Sequence, residues 1–171
     1  MSVLHLAAKL DQLEIVKFVI DNVEDKNPIV PTTKGFTILH MLAYDQGHVE
    51  VVDAILKQLE KGKRNPYDGN GNSPAHIATL YDNIELMKLF VADLVDKNPP
   101  VNSESGRTLL HFAAWSGKVY FLEYLYPFVD DLNPGLYIYI LHYVIQLPYD
   151  AIFSQFLALW VKFQHGIIPI Q

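Results

Sequence analysis

Residues 37–52 read TILHMLAYDQGHVEVV, and this stretch decides the fold. Its apolar residues recur at helical spacing on both sides of a break at Gly47, as is typical of two short amphipathic helices. Glu50 opens the second run, where a carboxylate complements the positive end of a helix. The stretch therefore predicts a helix–turn–helix unit.

The same unit recurs along the chain at a nearly constant spacing. Five related tetrapeptides end in His, at steps of 35, 36, 35 and 31 residues: Ser2–His5, Thr37–His40, Ser73–His76, Thr108–His111 and Tyr139–His142. An Asn-Pro pair follows the first four histidines by 22 to 25 residues: Asn27-Pro28, Asn65-Pro66, Asn98-Pro99 and Asn133-Pro134. Because Pro cannot continue a helix, two markers in register predict an array of stacked units, each closed by its Asn-Pro pair.

Helix, turn, helix and a projecting turn before the next Thr/Ser-x-Leu-His together resemble the ankyrin repeat, whose signature is Thr-Pro-Leu-His-x-Ala at about 33 residues. Thr37, Leu39 and His40 match that pattern, the small residue Ala43 follows three residues after the His, and the Pro of the signature survives only as Pro74. The resemblance implies an all-α ankyrin-repeat solenoid of stacked helix–turn–helix units with projecting β-turn loops. It implies a single domain over residues 1–171, with units at about 2–36, 37–72, 73–107 and 108–138 and a degenerate fifth at 139–171.

Composition excludes several other classes of protein. Half of the 171 residues are apolar and 19% are charged, as in ordinary folded proteins, and the chain has no Cys, which removes thiol catalysis and Cys-zinc sites. A net charge of −6 argues against nucleic-acid binding.

The first residues do not resemble a secretory signal, so an intracellular and cytoplasmic location is expected. The longest charge-free run, 132–149, is broken by Pro and polar residues, so a membrane span is not expected.

The repeated His does not predict a metal site. Stacked units stand roughly 8 to 10 Å apart, whereas zinc binds His nitrogens at about 2.0 Å, so one ion cannot collect them. The resemblance implies a structural His that forms hydrogen bonds between units. The motifs of serine hydrolases, zinc proteases and phosphate-binding loops are absent from the sequence, so no enzyme, cofactor or metal is predicted. His48 and His165 lie outside the repeated position and are expected to be exposed.

A partner-binding surface is implied by the resemblance, on a concave face made by the projecting turns and first helices. Aromatic and Arg side chains dominate binding energy at such surfaces. The candidates are Phe36, Tyr44, Tyr67, Tyr81, Arg107, Phe112 and Trp115. For Met41, Ile77 and Leu80 a place in the core is an equal alternative. We therefore predict a non-enzymatic protein–protein interaction scaffold, whose acidic surround favours a basic partner.

The C-terminal unit differs from the others, since only Asp150 and Lys162 are charged in residues 135–171. A helix that is apolar nearly all round is buried somewhere: beneath the tail 166–171, in a second copy of the chain, or against another partner or a membrane surface. A membrane-surface helix should carry a basic face, for which a single Lys162 is poor support. One alternative function is therefore a self-associating unit that forms a homodimer through this repeat. The residues that would form its interface are Phe153, Phe156, Trp160 and Phe163. A regulatory segment of a larger protein is a further alternative, because the sequence opens directly in its first helix.

Overall fold

The computed structural model describes residues 2–30, 33–45, 47–92, 94, 96–101 and 106–128. These residues form eight α-helices: α1 Val3–Lys9, α2 Leu13–Asn22, α3 Ile38–Tyr44, α4 Val49–Gln58, α5 Pro74–Leu80, α6 Ile84–Val91, α7 Leu109–Trp115 and α8 Val119–Leu125. Two single 3-10 turns lie at Lys61–Lys63 and Tyr126–Phe128. The described ranges contain no β-strand, and an isolated antiparallel bridge joins Ile29 to Thr37. The predicted all-α array of helix–turn–helix units is confirmed.

The chain divides into two compact units, Met1–Val95 with Pro100–Gly106, and Asp96–Pro99 with Arg107–Gln171. In the first unit the helix pairs stack in sequence order, with α1 on α3, α2 on α4, α3 on α5 and α4 on α6. In the second unit α7 packs against α8. Fully buried aliphatic side chains such as Leu39 and Ile55 fill the layers, and each contributes about 1.5–3 kcal/mol to folding. The predicted fifth unit, including His165, lies outside the described residues.

Each first helix begins with the same hydrogen bond, because its Ser or Thr precedes the repeated His by three residues. The backbone N–H of the Ser or Thr donates to Nδ1 of the His, at 3.2 Å for Ser2, 3.1 Å for Thr37, 3.2 Å for Ser73 and 3.1 Å for Thr108. A neutral ring that accepts at Nδ1 carries its proton on Nε2. In His40 this Nε2 donates to the Asn72 carbonyl at 3.1 Å, which ties α3 to the connector before α5. The structural role implied for the His is confirmed at this position.

The Asn of the Asn-Pro pair has a role that the sequence pattern did not reveal. Its side-chain oxygen accepts a hydrogen bond from a backbone N–H in the first turn of the next unit. The pairs are Asn27 with Leu39 at 3.1 Å, Asn65 with Ala75 at 3.4 Å and Asn98 with Leu110 at 2.9 Å. Those N–H groups have no partner within their own helix. The pair therefore closes one unit and caps the next.

Three of the repeated histidines have a lowered pKa. Burial is the largest cause for His5, His40 and His111, and the Arg107 charge lowers the pKa of His111 further. The unfolded chain therefore binds more protons than the folded chain just below pH 6.5, the ordinary His value. The stability that these neutral rings provide is complete above that pH and is lost as the pH falls toward their folded pKa values.

We expect acidification to destabilise the protein through these rings. The urea midpoint followed by circular dichroism should fall when the pH is lowered from about 7.5 to about 5.5. An equal midpoint at both values would contradict the expectation. Nuclear magnetic resonance titration of His40 should place its pKa below 6.5, with the exposed imidazole of a reference peptide as the control.

The projecting turns contact each other through backbone. The Gly69 N–H donates to the Lys34 carbonyl, which joins the turn before α5 to the turn before α3. A Cβ at residue 69 would lie 2.8 Å from that oxygen and would also overlap the Lys34 side chain. Only glycine allows this approach without a shift of one turn.

Replacement of Gly69 by alanine is expected to destabilise the protein by about 2 kcal/mol, the scale of overpacking. The midpoint of chemical unfolding measures this effect. Gly62→Ala is the matched control, because a Cβ there meets no atom within 4 Å. Equal stability of the two variants would show that the close approach of the two turns does not stabilise the protein.

The expectation that His48 is exposed is wrong. Its side chain is only 11% exposed and its Nδ1 lies 3.1 Å from Asp11 Oδ1. His48 follows Gly47 in the loop that precedes α4, where it reaches back to the corresponding loop of the first helix pair. The contact between the two loops covers the ring, which the sequence pattern does not indicate.

Candidate functional site

Two of the predicted site residues form an exposed aromatic pair. Tyr44 is the last residue of α3, and Tyr81 follows the last residue of α5. Because α3 packs on α5, the two rings meet with centroids 4.1 Å apart and planes tilted by 45°. Tyr44 is 52% exposed and Tyr81 42% exposed. The pair therefore offers a large apolar surface whose rings are already ordered by contact with each other.

The surroundings of the Tyr81 hydroxyl favour its neutral form. Partial burial, and then the neighbouring Tyr44 hydroxyl, raises the pKa of Tyr81. A neutral phenol both donates and accepts hydrogen bonds. Each Tyr is followed in sequence by an aspartate, Asp45 and Asp82. Such a surface suits a partner that places apolar or cationic groups on the rings.

A second aromatic feature lies within the second compact unit. The Arg107 guanidinium carbon is 5.9 Å from the centroid of the Trp115 ring, at the distance of a cation–π contact. Trp115 is 47% exposed at the end of α7. The approach of Arg107 therefore leaves about half of the indole surface accessible.

Phe112 does not belong to an accessible surface. It is 5% exposed, and its ring lies 6.4 Å from Trp115, so its prediction as a partner-binding residue is wrong. Phe112 and Trp115 lie on the same side of α7, but Phe112 is in the middle of the helix and packs inward, whereas Trp115 is its last residue. Ile77, for which core and surface were equal alternatives, is also buried.

Phe36 and Tyr67 lie in the projecting turns. The Phe36 ring is half-buried and lies 5.2 Å from the His40 ring, where it shields the capping hydrogen bonds of α3. Tyr67 is 40% exposed, and its hydroxyl donates to the Pro100 carbonyl at 3.1 Å. This bond links two successive connectors. Both aromatic residues therefore have structural contacts, and of the two Tyr67 has the more accessible ring.

Within the described ranges, no cluster of three or more His, Cys, Asp or Glu side chains has the geometry to hold a metal ion. The described helices include none with the length and apolarity that a bilayer crossing requires. The residues predicted for self-association, Phe153, Phe156, Trp160 and Phe163, lie outside the part of the chain that the structure describes.

Sequence reasoning missed an apolar surface on the first helix pair. Phe18 is 71% exposed and Val3 is 68% exposed, with Leu6 and Ile15 about half exposed. The sequence could have indicated this surface, because these residues occupy positions that are apolar in every unit. Their counterparts Ile38, Ile77 and Val51 are buried, whereas Ala54 and Leu89, the counterparts of Phe18, are partly exposed.

Comparison with known proteins agrees with this geometry. A family model described as ankyrin repeats (3 copies) matches residues 1–65 and 54–134. The chain is also similar to the target of rapamycin complex 2 subunit AVO2 of Saccharomyces cerevisiae, with 30% identity over 118 residues. That match covers 69% of this chain and 27% of the yeast protein, so the chain spans about a quarter of its relative. Ankyrin repeats generally mediate protein–protein interaction and are typically non-enzymatic. With its helix pairs, its capped first helices and this match, the chain belongs to the ankyrin-repeat family.

Proposed function

We propose that this chain binds a partner protein through the exposed aromatic residues at the ends of its first helices. The observation that carries the proposal is the Tyr44–Tyr81 pair, whose rings lie 4.1 Å apart and remain about half exposed. Trp115 and Arg107 provide a further contact of the same kind. In this role the chain acts as a scaffold without catalytic activity.

The chemistry of the pair supports a protein ligand. Tyr and Trp bury large areas on binding and have few rotatable bonds to order, which is why they dominate hot spots. Mutual contact orders the two Tyr rings before a partner arrives, so less conformational entropy is lost on binding. The net charge of −6 and the two neighbouring aspartates favour a partner segment with Lys or Arg side chains.

The yeast relative supports an assembly function, since its name describes it as a subunit of a multi-protein complex. By analogy, we propose that the chain is a binding module of a larger assembly. We also propose that it acts inside the cell, in the cytoplasm, which imaging of a fluorescent fusion would test. Self-association through the C-terminal residues 153–163 stays an alternative prediction.

The test compares the full chain with its Tyr44→Ala/Tyr81→Ala variant. Proteins retained from a cell extract by the immobilised wild type are identified, and the affinity of each purified candidate is then measured. We expect the double substitution to weaken binding at least tenfold, because it removes both rings of the pair. Helix content should stay unchanged, since both rings are partly exposed.

Tyr120→Ala is the matched control, because Tyr120 is 40% exposed on α8 and does not belong to the proposed surface. Its affinity should equal that of the wild type. If the double variant binds as tightly as the control, the Tyr44–Tyr81 pair is not the binding surface.

A further inference from the structure

The projecting turn before α5 contains an asparagine that is followed by glycine. Asn70 is the only asparagine of the sequence in this context, and it is exposed in the turn. The backbone nitrogen of the next residue can attack an asparagine side chain most readily in an Asn-Gly pair, because glycine has no Cβ to hinder the approach. Asparagine is accordingly one of the thermolabile residues of proteins. Asn70 is therefore a candidate for covalent modification.

The reaction that this pair undergoes is deamidation, and its only co-reactant is water. The Gly71 nitrogen loses its proton to base and attacks Cγ of Asn70, so that a C–N bond forms. Ammonia leaves with a proton from solvent as the bond from Cγ to the side-chain nitrogen breaks. Water then opens the resulting succinimide ring to give aspartate or isoaspartate. In isoaspartate the main chain runs through the former side chain and contains one extra carbon, and either product adds a negative charge.

The folded turn keeps the attacking nitrogen out of this reaction. The Gly71 N–H donates to the Asp68 carbonyl at 3.0 Å, which closes a β-turn. Oδ1 of Asp68 accepts hydrogen bonds from the backbone N–H groups of Asn70 at 2.8 Å and Asn72 at 2.9 Å. Gly71 is itself buried. Because its N–H is bonded and covered, the turn must open locally before base can remove the proton and the ring can close.

The same turn is tied to a buried side chain of the preceding helix pair. The Asn72 carbonyl accepts from the Asp68 N–H at 2.8 Å and from Nε2 of His40 at 3.1 Å. An extra main-chain carbon between residues 70 and 71 alters the spacing of Asp68 and Asn72, so the bonds across the turn lose their geometry. The new carboxylate also lies close in sequence to Asp68, and like charges repel. Isoaspartate at residue 70 therefore weakens the bond between His40 and this connector.

We propose that Asn70 is a site of spontaneous deamidation, that opening of the turn 68–72 controls its rate, and that the isoaspartyl product loosens the tie between α3 and the connector before α5. The modification changes the stability of the stack with the age of the molecule. It is independent of the partner-binding surface at Tyr44 and Tyr81, because neither ring takes part in the reaction or in the turn.

Incubation of the full chain at mildly alkaline pH, with samples taken over several weeks, tests the proposal. Peptide mapping by liquid chromatography and mass spectrometry measures aspartate and isoaspartate at residue 70. We expect both products in the wild type, formed more slowly than in a synthetic peptide of residues 66–74, in which no fold restrains the turn. Asp68→Ala should react about fivefold faster than the wild type, because the two hydrogen bonds to the carboxylate are lost.

Asn83→Ala is the control for overall stability, because it removes the N-cap of α6 and lies outside the turn. It should react at the wild-type rate if opening is local. An unmodified Asn70 in the wild type, after the peptide has reacted completely, would overturn the proposal. Equal rates for Asp68→Ala and the wild type, or a faster reaction of Asn83→Ala than of Asp68→Ala, would show that the turn does not control the rate.

The effect of the product is measured on incubated protein from which the isoaspartyl form is purified by ion exchange. Its urea midpoint, followed by circular dichroism, should lie below that of fresh protein. Asn70→Ala incubated alongside has no side-chain amide to lose and should keep its midpoint. An isoaspartyl form as stable as fresh protein would refute the proposed loss of the bond to His40.

Discussion

Replacement of His40 by alanine is expected to lower the free energy of unfolding by about 4 kcal/mol. The ring is fully buried, so its removal leaves a cavity, an unpaired N–H group and a carbonyl with one bond fewer, since the Asn72 oxygen keeps only its bond from the Asp68 N–H at 2.8 Å. The Thr37 N–H loses its acceptor at Nδ1, and the Asn72 carbonyl loses its donor at Nε2. Chemical unfolding followed by circular dichroism measures the loss.

Comparison with His5→Ala shows how the loss of stability depends on the helix pair in which the His lies. His5 makes the same bond to the backbone N–H of Ser2, at 3.2 Å, but among the described helices its own helix α1 packs on the next first helix, α3, alone, whereas the α3 of His40 packs on both α1 and α5. We expect a loss of about half that of His40→Ala, since fewer neighbours depend on the ring. A loss below about 1 kcal/mol for His40→Ala would show that the repeated His is dispensable to the fold.

Asn83→Ala is expected to cost about 3 kcal/mol, the second-largest effect. The side chain is 8% exposed and serves two helix pairs at once. Its oxygen accepts from the Leu86 N–H at 3.3 Å as the N-cap of α6, and its Nδ2 donates to the Asp45 carbonyl at 3.2 Å. Loss of a cap and of a donor to a partly buried carbonyl add to that total.

Two variants separate these contributions. Asn83→Asp keeps the cap but places a carboxylate oxygen near the Asp45 carbonyl, so it should be at least as unstable as Asn83→Ala. Asn70→Ala, at an exposed position of a projecting turn, should change the free energy of unfolding by less than about 0.5 kcal/mol. Wild-type stability of Asn83→Asp would rule out a contribution from the bond to Asp45.

Much of the fold was predictable from local sequence. The spacing of His5, His40, His76 and His111 predicted the units, and the apolar periodicity after each His predicted the two helices. These features are local, because capping and helical amphipathicity depend on residues within a few positions of each other. The second role of the Asn-Pro pair was missed because the bond from Asn27 to Leu39 spans twelve residues.

The candidate site was predictable only in part. Exposed aromatic residues near the ends of the first helices were expected from the resemblance, and Tyr44, Tyr81 and Trp115 are exposed as predicted. The prediction for Phe112 was wrong because Phe112 and Trp115 share one side of α7, so helical spacing could not distinguish the buried residue in mid-helix from the exposed one at the helix end. The approach of Tyr44 to Tyr81 depends on how α3 packs on α5, which no pattern within one unit specifies.

The sequence by itself therefore determined the helix pairs, their caps and their order, because each depends on contacts between near neighbours along the chain. The tertiary structure alone decided which equivalent residues are covered. Ile15 and Val51 occupy the same position in successive units, yet Ile15 is 47% exposed and Val51 is fully buried. The physical reason is that burial is a property of the stack, since a unit's apolar face is covered only when another helix pair lies against it.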